Sequence, residues 1–172
     1  MNIKRAKEEI KDTAAAYLLK DDCGEYVIPS IRSGRCFWTA RREWEKPRLW
    51  SKYAKRMRFG VWLPIPLLTY TRQSAVGLPF IEHKVYGGKE YAVTEYTMSE
   101  IVASVYDRIR DTGLKEGILF IDEINCVSET LAPAMLQFLQ CKTFGTHKIP
   151  EGWIIVAAGN PPEYNKICPG EI

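Results

Sequence analysis

Apolar residues are patterned along most of the chain, and one long stretch shows no period. Residues 117–125 read Gly-Ile-Leu-Phe-Ile-Asp-Glu-Ile-Asn, four consecutive apolar positions without a helical period, introduced by Gly117 and ended by Asp122 and Glu123. That pattern predicts a strand buried on both faces of a parallel sheet, with acid groups at its carboxyl end. Residues 153–158, Trp-Ile-Ile-Val-Ala-Ala, predict a second buried strand, stopped by Gly159-Asn160-Pro161-Pro162. Between the two, Leu131, Met135, Phe138 and Leu139 recur at helical spacing. Residues 128–130 can cap that helix, Pro133 is tolerated only near its start, and a polar turn around Gly145 follows it.

Upstream, residues 3–20 predict an amphipathic helix with Ile3, Ala6, Ile10, Tyr17 and Leu18 near one face, closed by Asp21-Asp22-Cys23-Gly24. A short extended piece, 25–28, runs into Pro29. Residues 71–80 read as a loop, and 85–93 as a hairpin turning at Gly87-Gly88. Thr97-Met98-Ser99-Glu100 reads as a capping box. It opens a helix with Ile101, Val105 and Ile109 on one side, Val102 and Tyr106 alongside, and Gly113 at its close. No repeat or low-complexity tract interrupts this order, which predicts an α/β fold.

The stretch without a period is 33–70. It holds four of the five tryptophans (Trp38, Trp44, Trp50, Trp62) and nine Arg and Lys against two Glu, a local charge of +7 in a chain whose total is +3. No cap or glycine turn organises it, and Pro64 and Pro66 interrupt its one apolar run.

At 172 residues with 46% apolar content the chain has the size and composition of one globular domain. The charged N-terminal residues precede no apolar run, so a secretory signal is not expected, and no segment approaches membrane-spanning length. A cytoplasmic location is the expectation. The five cysteines form no Cys-x-x-Cys, and the two histidines stand far apart in sequence. Neither a zinc site nor a disulfide framework is indicated.

The chemistry lies at the ends of the two buried strands. A strand that ends in Asp-Glu can place one carboxylate on a hydrated magnesium ion and the second beside an attacking water. An Asn at the end of a neighbouring strand can hydrogen-bond a phosphate or that water. The order strand-Asp122-Glu123, helix, strand-Asn160-Pro161 resembles Walker B and sensor 1 of the AAA+ ATPases, and Ala157-Ala158-Gly159-Asn160-Pro161-Pro162 is most similar to the MoxR-type branch. The resemblance is close over 71–166 and loose over 1–32. It implies an incomplete AAA+ core over 1–172, a three-layer P-loop NTPase fold with a parallel sheet, lacking the phosphate-loop strand and the C-terminal lid. It further implies ATP and Mg2+ as cofactors, with Asp122 holding the metal, Glu123 polarising the water and Asn160 sensing the γ-phosphate. The activity implied is ATP hydrolysis that remodels a partner protein within a homo-oligomeric ring, a neighbour supplying an arginine. The hairpin at Gly87-Gly88 and the loop 71–80 are the candidate partner-facing elements.

Such a core needs a phosphate loop, and no Gly-x-x-x-x-Gly-Lys-Ser/Thr occurs in this sequence. The genetic code offers an account. Joining the third base of each codon to the first two of the next, Phe37-Trp38 forces Leu, Trp38-Thr39 forces Asp and Trp44-Glu45 forces Gly. The other junctions from Cys36 to Pro47 permit Leu-Leu-Asp-Gly-Pro-Pro-Gly-Met-Gly-Lys-Thr, a complete phosphate loop. The codons of 167–171, read in the other shifted frame, permit Ser-Val-Arg-Glu. Two frameshifted segments, roughly 33–70 and 167–172, are therefore expected, the second leading to early termination. The rival readings are a non-catalytic pseudo-ATPase or interaction module, and a single-strand nucleic-acid binder using the basic, Trp-rich 33–70 stretch.

Overall fold

The computed structural model describes residues 3–29, 35–39 and 61–159. In chain order the elements are α1 (Ile3–Tyr17), β1 (Arg35–Thr39), β2 (Val61–Pro66), α2 (Arg72–Val76), β3 (Pro79–Tyr86), β4 (Lys89–Tyr96), α3 (Glu100–Thr112), β5 (Gly117–Asp122), α4 (Ala132–Cys141), β6 (Thr143–Phe144), β7 (His147–Lys148) and β8 (Trp153–Gly159). Four strands form one sheet in the order β1-β8-β5-β2, every neighbouring pair parallel. The pairs β3/β4 and β6/β7 are separate antiparallel ribbons. The fold is α/β.

The unbroken apolar runs of β5 and β8 follow from burial on both sides. Alternate residues point to opposite faces of a strand. Ile118, Phe120, Ile154 and Val156 pack with Ala14, Tyr17 and Leu18 at the end of α1. Leu119, Ile121, Ile155 and Ala157 pack on the opposite side with Val102 and Val105 of α3 and with Met135, Phe138 and Leu139 of α4. There the Phe138 and Phe144 rings stack at 4.2 Å between centroids. Lys142 closes α4 in the left-handed region and is itself buried, its ammonium donating to the Trp153 carbonyl at 3.0 Å. No helix among the described residues is long and apolar enough to cross a membrane.

The expected absence of regular structure in 33–70 is corrected at Arg35–Thr39 by β1 and at Val61–Pro66 by β2, while 40–60 lies outside the described residues. The first lies at the β8 edge of the sheet and the second at the β5 edge. Both prolines of β2 are tolerated because it is an edge strand. Val61 N–H donates inward to the Glu116 carbonyl at 3.0 Å. Backbone groups alternate side to side, so Leu63 and Ile65 also face β5, while Pro64 and Pro66 stand on the open side where no N–H is needed. Leu63 and Ile65 are buried and the prolines exposed.

Other local readings are also corrected. The first helix ends at Tyr17 rather than 20, and the piece 25–28 contributes only a bridge between Tyr26 and Lys20. The cap of α3 is Ser99, whose hydroxyl accepts from Ile101 N–H, whereas Thr97 is drawn away to accept from Leu78 N–H at 2.8 Å. A reciprocal Thr71/Ser74 capping box starts α2 inside the segment read as loop, and β3 begins there too, so the ribbon runs from Pro79 to Tyr96. Residues 128–130 do not cap α4 through a side chain; its N-cap is Leu131, with Pro133 in the first turn.

Candidate functional site

All four strands of the sheet point their carboxyl ends to one edge. Register places Thr39 beside Gly159, Ala157 beside Ile121, and Asp122 beside Pro66. This is the edge of an α/β sheet at which ligands bind.

Asp122 is the last residue of β5 and is half-buried. Burial raises its carboxyl above the usual aspartate value, and the Glu123 N–H, donating to Oδ1 at 2.9 Å, offsets part of that rise. Glu123 turns the chain sharply, at φ 57° and ψ 40°, a left-handed conformation that carries strain for any residue with a Cβ. A short 3-10 turn, Ile124–Cys126, follows, with Cys126 N–H donating to the Glu123 carbonyl at 2.9 Å. The two acids thus sit at consecutive positions of a tight turn.

The turn is packed against the neighbouring strand tip. A Cβ built on Gly159 would lie 2.8 Å from Asn125 Oδ1 and 3.3 Å from Ile124 Cγ2. A side chain here would make the Asn125 amide turn aside, whereas glycine lets it rest against the strand tip. Asn125 and Gly159 carry no role in the sequence reading, although both lie inside the motifs quoted there. Their juxtaposition depends on the β5/β8 pairing, which no local pattern records. Asn160, the expected γ-phosphate sensor, lies outside the described residues.

One carboxylate completed by water is a sufficient protein contribution to a magnesium site, and Asp122 suits that role. No cluster of three or more His, Cys, Asp and Glu able to hold a metal occurs among the described residues. Of the stretch 36–47 expected to encode the phosphate cradle, 36–39 lie in β1 and 40–47 outside the described residues. An open groove lies at the root of the β3/β4 ribbon, lined by Thr71, Gln73, Ser74, Leu78, Met98 and Glu100. It includes neither acid.

At the opposite edge of the sheet, Glu116 receives Lys20 Nζ at 2.6 Å and the Tyr26 hydroxyl at 2.9 Å. Partial burial pushes its carboxyl up, but these donors outweigh burial and hold it below the ordinary glutamate value. This cluster ties the segment after α1 to the start of β5. No protein-family model and no curated protein matches the chain.

Proposed function

We propose that the chain is an AAA+ ATPase core of the MoxR type whose phosphate loop is encoded out of frame. The observation that carries this reading is the placement of Asp122 and Glu123 on a strained turn at the carboxyl end of a central parallel strand, packed through Asn125 and Gly159 against the strand that leads into Asn160. In this reading Asp122 holds Mg2+, which neutralises phosphate charge when bound, Glu123 orients and polarises the attacking water, and Asn160 contacts the γ-phosphate. ATP hydrolysis then drives remodelling of a partner protein within a homo-oligomeric ring. The chain as written has no phosphate-binding lysine loop, so it binds ATP weakly or not at all.

Independent sequencing of the coding region between the codons for Pro29 and Thr71 is the direct test. A shifted frame spelling Gly-Pro-Pro-Gly-Met-Gly-Lys-Thr supports the reading, and any other spelling removes it. The frame-restored protein is expected to hydrolyse ATP with a Mg2+ requirement, and Glu123→Gln in that protein to abolish turnover while leaving nucleotide bound. Micromolar, Mg2+-dependent ATP binding by the chain as written would contradict the role given to the lost loop. The exposed β3/β4 ribbon favours one second reading, a non-catalytic interaction module. In that case Glu123→Gln changes nothing.

A further inference from the structure

The ribbon has a property unrelated to nucleotide chemistry. Strand β3 reads Pro79-Phe80-Ile81-Glu82-His83-Lys84-Val85-Tyr86, and about His83 it is a chemical palindrome. Glu82 mirrors Lys84, Ile81 mirrors Val85, and Phe80 mirrors Tyr86. A strand built this way complements a second copy of itself running antiparallel, because the pairs flanking His83, which faces its own copy, are then of opposite charge, both aliphatic or both aromatic.

The backbone has the matching parity. Thr97 N–H donates to the Leu78 carbonyl at 2.9 Å, so the backbone groups of residue 78, and of 80, 82, 84 and 86 by alternation, face β4. Those of Ile81, His83 and Val85 face the outer edge, which no strand covers among the described residues. Pro79, which lacks an N–H, also belongs to the outward set. A two-fold axis at His83 therefore makes a hydrogen-bonded pair at the centre and further pairs between Ile81 and Val85 on each side. Shifting the axis by one residue opposes Glu82 to Glu82 or Lys84 to Lys84. Shifting it by two leaves both charges without an opposite charge across the edge. One register satisfies backbone and side chains together.

The ribbon is also largely exposed among the described residues. Ile81 and Val85 are 72% and 70% exposed, Phe80 and Tyr86 are exposed, and a two-stranded ribbon is marginal in isolation. Edge strands ordinarily avoid such pairing with charges, bulges or prolines. Here the two charges between Phe80 and Tyr86 are opposite in sign and mirror-placed, so they attract a second copy rather than repel it. Within one chain Lys84 already meets Glu95 and, at 3.4 Å, Glu82, so a second copy's charges join an existing ammonium–carboxylate cluster across the edge.

We propose that two copies of this chain associate about a two-fold axis at His83, joining their β3 edges into a four-stranded antiparallel sheet in the order β4-β3-β3-β4. Sedimentation of the full chain tests this with two charge reversals. Glu82→Lys alone, or Lys84→Glu alone, places like charges across the edge and is expected to weaken self-association at least about tenfold. An equimolar mixture of the two variants is expected to dimerise again, because each lysine then faces a glutamate of the other chain. That recovery also shows that both variants are folded. His83→Pro removes an outward N–H without touching the β3/β4 ladder and is expected to give monomer by an independent route. A wild-type chain that stays monomeric to its solubility limit overturns the proposal. So do reversal variants that dimerise like wild type, or a mixture that fails to recover.

Discussion

Strands β5 and β3 carry comparable apolar content and meet opposite fates. The side chains of β5 from Ile118 to Ile121 are all buried, on both faces, between α1 on one side and α3 with α4 on the other. Seven of the eight residues of β3 are exposed, and Lys84 is only partly covered. Composition accounts for part of the difference, since β3 carries Glu82-His83-Lys84 at its centre and β5 a single acid at its end. A run of apolar residues specifies that a strand wants cover, while neighbours in space decide whether it receives any. The buried strand then serves as a rigid mount for a strained acidic turn, and the exposed one is left with an edge available to a second chain.

The comparison can be broken most directly by truncation on each side of it. Phe138→Ala, in the core that covers one face of β5, is expected to cost about 3–5 kcal/mol in chemical denaturation, whereas Ile81→Ala in dilute monomer is expected to stay within about 0.5 kcal/mol. Equal losses would mean that the ribbon is packed by the chain itself. The next effect concerns the mount. Gly159→Ala brings the new methyl against the Asn125 amide, which must turn aside, and is expected to destabilise by about 1 kcal/mol. In an Asn125→Ala background the cost should shrink, and additivity of the two changes in a double-mutant cycle would deny the contact.

A smaller change of opposite sign tests the strain. Glu123→Gly removes the left-handed penalty and is expected to raise stability by about 1 kcal/mol, partly offset by the greater freedom of glycine in the unfolded chain. A loss of stability would show that the Glu123 side chain contributes more to folding than its backbone conformation costs. The last test is one of pH. Glu116 has a lowered pKa in the folded state, so its contribution is present above the unfolded value of 4.5 and is lost as pH falls below that value through the folded pKa. Glu116→Gln should flatten that part of the acid limb in a pH series of thermal midpoints. An unchanged slope would mean that Lys20 and Tyr26 do not hold the carboxylate in solution.

Several elements were legible because the information is local. The runs 117–122 and 153–158, the stripe through Met135 and Phe138, and the Gly87-Gly88 turn are each written in adjacent residues. Others depended on partners distant in sequence. Thr97-Met98-Ser99-Glu100 satisfies the wording of a capping box, yet Thr97 is claimed by Leu78 across the root of the ribbon and the cap passes to Ser99. Pro64 and Pro66 argue against a strand until β2 is known to be an edge. The acids Asp122 and Glu123 were visible as a motif, but the approach of Asn125 to Gly159 was not, because it joins residues 34 positions apart in sequence.

By itself the sequence determined the α/β class, the two central strands, the acidic residues at the end of one of them and the lack of a Gly-x-x-x-x-Gly-Lys-Ser/Thr motif, since each is a matter of residue type and spacing along the chain. Only the tertiary structure decided that β1 and β2 flank those strands, that Glu123 sits in a strained turn braced by the β8 tip, and that the outer edge of β3 is left uncovered by any strand among the described residues. Pairing register, burial and backbone direction arise when distant segments compete for the same surface, and that competition is not written in any one segment.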